Sequence, residues 1–205
     1  MGAKLVGLIV FAAVLGGLIG SVATLVLSEV FVDDNARIAE FYATENAVHV
    51  SPHGIRNKIG KGQSDFFVLV DLRSAQEYEK SHIVSALNVP AYKDPDTSAY
   101  GDVDRIVASF EKIERDNPGK DIIVYCYSVP CMTGRKVGKM LAERGIFVKH
   151  LNVGWNDWKA WWNVWNHEHE TALLEDYLYS GSEPGVFSKV DPSAKNLCGP
   201  EELGC

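Results

Sequence analysis

The apolar and polar positions divide the chain into one long apolar segment followed by short alternating ones. Leu5 to Ser28, LVGLIVFAAVLGGLIGSVATLVLS, runs 24 residues without a charge, and a helix needs about 20 to cross the hydrocarbon of a bilayer. The expected element is one transmembrane helix. Its rival is a secretory signal peptide, with Lys4 as the basic end and Ser21-Val22-Ala23 as a small-residue cleavage site. The apolar run continues past Ala23 through Leu27, which favours a retained anchor. Ala12, Gly16, Gly20 and Thr24 recur at every fourth position, a spacing that lets a transmembrane partner helix approach closely, although small residues are common in spans generally. Lys4 lies on one side of the span and Arg37 on the other, a thin basic bias from which we expect a single-pass protein with its domain on the extracytoplasmic side.

After the anchor the period changes. Ile38, Phe41 and Tyr42 sit at helical spacing in Asp34 to Asn46 and predict a short connecting helix. Strand-like and helix-like segments then alternate: a strand over Val48 to Val50; a helix opening at Ser51-Pro52, a capping residue before a first-turn proline; the buried strand Phe66 to Val70; and a helix over Ala75 to Lys80. A short strand over Ala86 to Val89, a helix over Val103 to Ile113, a turn at Asn117-Pro118-Gly119 and the strand Ile122 to Tyr125 continue the series. Val137, Met140 and Leu141 share one helical face, Gly145 ends that helix, and Phe147 to Leu151 forms a last strand. Such alternation predicts an α/β sandwich around a parallel sheet. The expected organisation is residues 1–32 as anchor, 33–46 as connecting helix, 47–168 as the α/β domain, and 169–205 as a further helix and a Gly-, Pro- and Ser-rich tail.

Composition narrows the function without naming it. The chain has 205 residues, 20 basic and 27 acidic, for a net charge of −7; few basic residues cluster, which argues against nucleic acid. All five tryptophans lie between Trp155 and Trp165. Trp155, Trp158, Trp162 and Trp165 share a helical stripe suited to core packing, and Trp161 falls off it toward a contact surface or the membrane interface. His167-Glu168-His169-Glu170 has metal-ligating residue types, but alternate residues on a helix do not share a face. A solvated polar stretch is the expectation there, and no metal site is assigned. Cys198 and Cys205 in the tail would pair in an oxidising compartment and stay free in a reducing one.

The chemistry concentrates in IIVYCYSVPCMTGRKVGKMLAERG, Ile122 to Gly145. A cysteine at the carboxyl end of a buried parallel strand, before a loop and a helix, lies where α/β sheets bind ligands. Loop amides and the positive helix end there favour a thiolate. Cys126 occupies that place, and Arg135 is the nearest cation for an anionic donor, with Lys136 and the hydroxyls of Ser128 and Thr133 in support. Thr133 also suits a helix cap. The competing reading of Cys126 is a buried structural thiol. Asp71 and Arg73 are expected to pair structurally near the loop, with a minor substrate role for Arg73.

The stretch VLVDLRSAQEYEKSHIVSALNVP resembles the front signature of the rhodanese-like sulfurtransferase domain, with Asp71, Arg73, Glu77, Tyr78, His82, Ile83, Ala86, Asn88 and Pro90 in its order and spacing. VYC before the loop and HLNVGWNDWKAW near the end resemble its active-site strand and closing helix, so the likeness covers roughly Val48 to Trp165. The resemblance implies a rhodanese-like three-layer sandwich and a cysteine, Cys126, that carries a sulfane sulfur as a persulfide among loop amides. The implied partners are a small sulfur-containing anion or a thiol carrier, beside the membrane lipid, and no cofactor is implied. Two departures stand out: Ser81 where the family commonly has glycine, and a loop longer than usual. That loop contains Cys131, and the Cys-x-x-x-x-Cys spacing resembles single-domain members with two loop cysteines, in which Cys131 would resolve the persulfide of Cys126. Three other classes remain open: a non-catalytic interaction module in a membrane complex, a thiol-disulfide redox protein, and a phosphatase of the same fold, for which the short arginine-terminated loop is missing.

Overall fold

The computed structural model describes residues 2–30, 33–165, 167–168, 170–189 and 191–192; His169, Cys198 and Cys205 lie outside the described residues. The chain divides into one unit over residues 1–45 and a compact unit over residues 46–205. In the first, helix α1 (Ala3–Val30) contains the segment Leu5–Thr24, of mean hydropathy 2.5, which is long and apolar enough to cross a membrane. Two hydroxyls within that segment are satisfied inside the helix: Ser21 Oγ donates to the Gly17 carbonyl at 2.5 Å and Thr24 Oγ1 to the Gly20 carbonyl at 2.8 Å. Neither would be left unpaired in hydrocarbon. Helix α2 (Asp34–Val48) follows, with Ile38, Phe41 and Tyr42 exposed.

The compact unit opens with β1 (His49–Val50), α3 (Pro52–Gly60), a 3₁₀ turn at Ser64–Phe66, β2 (Phe67–Asp71), α4 (Ala75–Lys80), β3 (His82–Ile83) and β4 (Leu87–Asn88). It continues with β5 (Tyr92–Asp94), β6 (Thr97–Ser98), α5 (Val103–Asp116), β7 (Asp121–Tyr125), α6 (Thr133–Ala142), β8 (Lys149–Leu151) and α7 (Trp155–Ala160). A 3₁₀ turn at Leu174–Tyr177 leads into β9 (Leu178–Tyr179). Ser51 caps α3, its side chain accepting from His53 N–H, with Pro52 at the first helical position, as the sequence predicts.

The main sheet is parallel throughout, in the order β1-β8-β7-β2-β4. Adjacent side chains on a strand point to opposite faces, so each central strand feeds two cores. Phe67, Leu69, Ile123 and Tyr125 pack with Ile55, Ile59, Trp155, Trp158 and Trp162 on one face. Val68, Val70, Ile122, Val124 and Cys126 pack with Phe110, Ile106, Val137 and Leu141 on the other. Each fully buried aliphatic or aromatic side chain of this kind stabilises the fold by about 1.5–3 kcal/mol. The expected α/β sandwich with a central parallel sheet is the observed one, and β2 and β7 are its spine.

Three local expectations are corrected. Helix α7 stops at Ala160, because the Trp161 N–H closes on the Asp157 carbonyl as a cap, and Trp162 to Trp165 follow as irregular turns. The tryptophans still converge: Trp158, Trp162 and Trp165 meet with ring centroids 5.1–5.5 Å apart, while Trp161 is exposed. Among the described residues beyond Thr171, the expected helix is a 3₁₀ turn, whose Tyr177 fills the same core. Glu170 is not solvated. It is buried against Arg56 and lies 2.9 Å from His53 Nε2, with the Arg56 guanidinium over the rings of Trp165 at 4.6 Å and Trp162 at 5.2 Å. Burial outweighs Glu170 at His53 and lowers its pKa.

Removing one member of a buried ion pair strands the other, at a cost of about 3–5 kcal/mol. Glu170→Ala is therefore expected to lower Tm by roughly 2–4 °C per kcal/mol lost. Thermal unfolding followed by circular dichroism checks this; an unchanged Tm would show that Arg56 finds solvent instead.

Candidate functional site

Strand β7 ends at Tyr125 and hands the chain to a loop, Cys126 to Met132, that returns into α6. The loop turns where Cys131 N–H donates to the Ser128 carbonyl at 2.9 Å. The start of α7 clamps it from the side. Trp155 N–H donates to the Cys126 carbonyl and Asn156 N–H to the Tyr127 carbonyl, each at 2.8 Å. Asp157 Oδ2 accepts from Val129 N–H at 2.7 Å and from its own Gly154 N–H at 2.9 Å. Gly154 is required because a Cβ there would overlap the backbone of Tyr127 and Ser128.

The two loop cysteines are free thiols with their sulfurs 3.1 Å apart, Cys126 buried and Cys131 half-buried. Each sulfur lies within hydrogen-bonding distance of the other, and their affinities for a proton are shifted in opposite directions. The Cys126 thiol is pushed up, first by its hydrogen bond with Cys131 and then by burial. Cys131 is pulled down by the same hydrogen bond, helped by the Thr133 hydroxyl and the amides of Thr133 and Tyr127. Of the loop amides expected to cradle sulfur, Val129 N–H and Cys131 N–H are therefore committed elsewhere, and those of Tyr127 and Thr133 face the thiols.

A small pocket of about 20 Å³ opens on the sulfurs, lined by Ser128, Arg135, His49 and His150 among others. Arg135 is exposed at its rim and donates to the Val129 carbonyl at 3.3 Å. His150 is held neutral, its pKa lowered to about 4 by burial and by the neighbouring His49 and Arg135. Gly134 of α6 makes room for that ring, since a Cβ would strike it. The structure thus brings together Cys126, Cys131, Ser128, Thr133 and Arg135.

Arg73 does not line this pocket. Its guanidinium grips Asp71, with Nη2 to Oδ2 at 2.6 Å, donates to the Ser81 carbonyl at 2.8 Å and lies 4.2 Å over the Trp155 ring. The rest of the signature around it is also structural. Tyr78 O–H donates to the Ala86 carbonyl at 2.6 Å, the His82 ring stacks on Tyr78 at 3.6 Å, and Asn88 Nδ2 donates to the Asp71 and Arg73 carbonyls. Burial lowers the His82 pKa.

Thr133 is the first residue of α6, and its side chain does not cap the helix. It is buried, with its hydroxyl 3.3 Å from Cys131 Sγ and 2.7 Å from Tyr92 O–H, and it also bonds Tyr100 O–H. Tyr92 and Tyr100 were not legible as site residues. The hairpin that carries Tyr92 is two short strands, β5 and β6, and the one cue for it is the Asp94-Pro95-Asp96 turn, where Asp96 N–H donates to Asp94 Oδ1 at 2.9 Å.

A parallel α/β sheet with a thiol pair in a loop at the carboxyl end of its central strand defines a domain built to hold a ligand at that crevice. Residues 51–160 match the family described as the rhodanese-like domain, over more than half of the chain, and the chain belongs to that family. No curated protein matches it. Among solved structures, it is similar to a Bacillus halodurans protein at 23% identity, covering 59% of this chain and 77% of that one with a TM-score of 0.44. A Lactobacillus plantarum protein matches at 19% identity over 61% of this chain and 92% of its own, with a TM-score of 0.45. A structure described as rhodanese with anions, from E. coli, matches at 21% identity over 44% and 88%, with a TM-score of 0.30.

Two outcomes follow from this geometry. Gly154→Ala should loosen the clamp and cost roughly 1–3 kcal/mol, as overpacking does, read as a lower Tm together with faster alkylation of Cys126; unchanged values for both would refute the clamp. His53, His82 and His150 each bind a proton less readily in the fold than in the unfolded chain. Their stabilisation is complete above about pH 6.5 and lost as pH falls below it. Tm is expected to be lower at pH 5 than at pH 7, and an equal or higher value at pH 5 would contradict the assignment.

Proposed function

We propose that the protein is a membrane-anchored sulfurtransferase that carries sulfane sulfur on Cys126 and passes it to a thiol acceptor. The observation that carries this reading is the pair of free sulfurs 3.1 Å apart at the carboxyl end of β7. A thiosulfate-type donor would approach with its anionic end toward Arg135. The pocket of about 20 Å³ has room for a group the size of one water molecule, which suits the transferred sulfur and leaves the bulk of the donor outside.

Cys126 attacks the outer sulfur of the donor, a new S–S bond forms on Cys126, and the donor's S–S bond breaks with its electron pair leaving on sulfite. An acceptor thiolate then takes the outer sulfur and returns Cys126 as thiolate. Alternatively, Cys131 attacks Cys126 Sγ, expels hydrosulfide and leaves a Cys126–Cys131 disulfide, which a dithiol reductant reopens. Helix α1 would hold the domain at the lipid surface on the extracytoplasmic side, with Ala12, Gly16, Gly20 and Thr24 facing a partner helix.

The sulfur separation also favours a second reading, a dithiol–disulfide redox protein, in which a partner disulfide takes two electrons and two protons from the pair by exchange and the sulfurs close to about 2.05 Å. The full-length chain in detergent, reduced, cleared of reductant and incubated with thiosulfate, decides between them by intact mass. A gain of about 32 mass units, one persulfide sulfur, that is lost in Cys126→Ser supports the sulfurtransferase. No gain in the wild type or in Cys131→Ser, which lacks the thiol that would expel the sulfur as hydrosulfide, together with a reductant-sensitive loss of two protons in the wild type alone, refutes it in favour of redox cycling.

A further inference from the structure

The hydroxyls around Cys131 form one connected set whose donors and acceptors can be arranged to send a proton toward the sulfur. Tyr92 reaches Thr133 Oγ1 from β5 at 2.7 Å, Tyr100 reaches the same oxygen from the turn before α5, and the two phenols are 3.5 Å apart. Thr133 Oγ1 is in turn 3.3 Å from Cys131 Sγ, in a side chain that is 1% exposed. A threonine hydroxyl has one proton and two lone pairs. Phenols keep their protons at neutral pH, and burial pushes Tyr92 further in that direction. When both phenols donate to Thr133 Oγ1, its acceptor capacity is full and its single proton is left for the thiols, of which Cys131 Sγ lies 3.3 Å away and Cys126 is also within its reach.

We propose that Tyr92, Tyr100 and Thr133 form a hydroxyl relay that aims one proton at Cys131 Sγ, so that Cys131 is the thiolate of the reduced pair and takes the Cys126 proton when Cys126 reacts. Thr133 and the two tyrosines are positioning residues; Cys131 is the base. The proton step rests on the sulfurtransferase reading, whereas the location of the thiolate does not. In the step, the Cys126 S–H bond breaks and a Cys131 S–H bond forms across the 3.1 Å between the sulfurs, while Cys126 gains the donor's sulfur and sulfite departs with the electron pair. Once protonated, Cys131 donates to Thr133 Oγ1, and the Thr133 proton turns to one of the phenol oxygens. The relay thus fits both protonation states without leaving a buried hydroxyl unpaired.

The other groups facing the thiols come from four elements: Arg135 of α6, His150 of β8, His49 of β1 and the Tyr127 phenol, which donates to Glu77 at the start of α4. Lys136 of α6 lies 4.9 Å over the Tyr100 ring. All stay in place in the variants below, so a difference between variants reports the relay.

The test is the pH profile of thiol alkylation in the full-length chain in detergent, fully reduced, pulsed with iodoacetamide between pH 5 and 10 and read at each cysteine by peptide mass spectrometry. The midpoint at Cys131 is the quantity, because Cys126 is buried and its extent of labelling also reflects access. Wild-type Cys131 is expected to titrate below the ordinary thiol value of about 8.5. Thr133→Val should raise its midpoint by about one unit, a tenfold loss of labelling rate at low pH, since one unit is a factor of ten in thiolate. Thr133→Ser should restore the wild-type profile. If Thr133→Val fails to fold, Tyr92→Phe with Tyr100→Phe, expected to shift the midpoint in the same direction, takes its place. A Cys131 midpoint that is ordinary in the wild type, or unmoved in Thr133→Val and in the double phenylalanine variant, overturns the relay. Sulfur loading by thiosulfate, measured beside it in the wild type and in Cys131→Ser, separates the two readings: sulfur gain in either with unmoved midpoints overturns the relay alone, and shifted midpoints without sulfur gain in both support the relay while refuting the sulfurtransferase.

Discussion

The cysteine loop keeps its shape because the start of α7 is pressed flat against it, and little else at the site would stay in place without that contact. Loop backbone away from regular structure carries donors and acceptors that need partners. Here Trp155 and Asn156 satisfy the carbonyls of Cys126 and Tyr127, and the Asp157 carboxylate satisfies Val129 N–H. One side-chain oxygen thus fixes the loop and caps its own helix together. The approach is close enough that only glycine fits at position 154, and the Trp155 ring that follows supports Arg73 from the other side. The signature pair Asp71–Arg73 and the cysteine loop are in this way parts of one scaffold, which explains why Arg73 is a brace beneath the site and takes no place in its pocket.

Held by that scaffold, the two sulfurs answer to opposite environments. Cys126 packs among Val124, Val137 and Leu141 as a core residue, where ionisation costs solvation. Cys131 stands at the mouth of the loop with a hydroxyl and two amides turned toward it. Pushing the affinities of two neighbouring groups for one proton apart is a general way to assign an acid and a base. The buried sulfur and the half-buried one both open on the small pocket, 3.1 Å apart.

The fold was largely legible in the sequence because its strands are buried on both faces and so are written as apolar runs, as at Phe67 to Val70 and Ile122 to Tyr125, and because Ser51-Pro52 and Asn117-Pro118-Gly119 mark their boundaries by local chemistry. Cys126 and Cys131 were legible because their place at a strand's end follows from those runs. Helix α7 ended earlier than its tryptophan stripe suggested, since a spacing compatible with a helix was met by turns that still deliver Trp162 and Trp165 to the same core.

What the sequence by itself determined is whatever depends on neighbours along the chain: the apolar span of α1, the alternation that makes a parallel sheet, and the position of the thiols after β7. Tertiary structure alone decided what depends on residues far apart. Glu170 was read as solvated because its partners, Arg56 and His53, precede it by more than a hundred residues, and nothing local to Glu170 announces them. Thr133 was read as a cap because a threonine before a helix offers that bond locally; Tyr92 and Tyr100, 41 and 33 residues earlier, claim its hydroxyl instead. Period and turn chemistry are local quantities, whereas the partner of a buried polar group is chosen by packing.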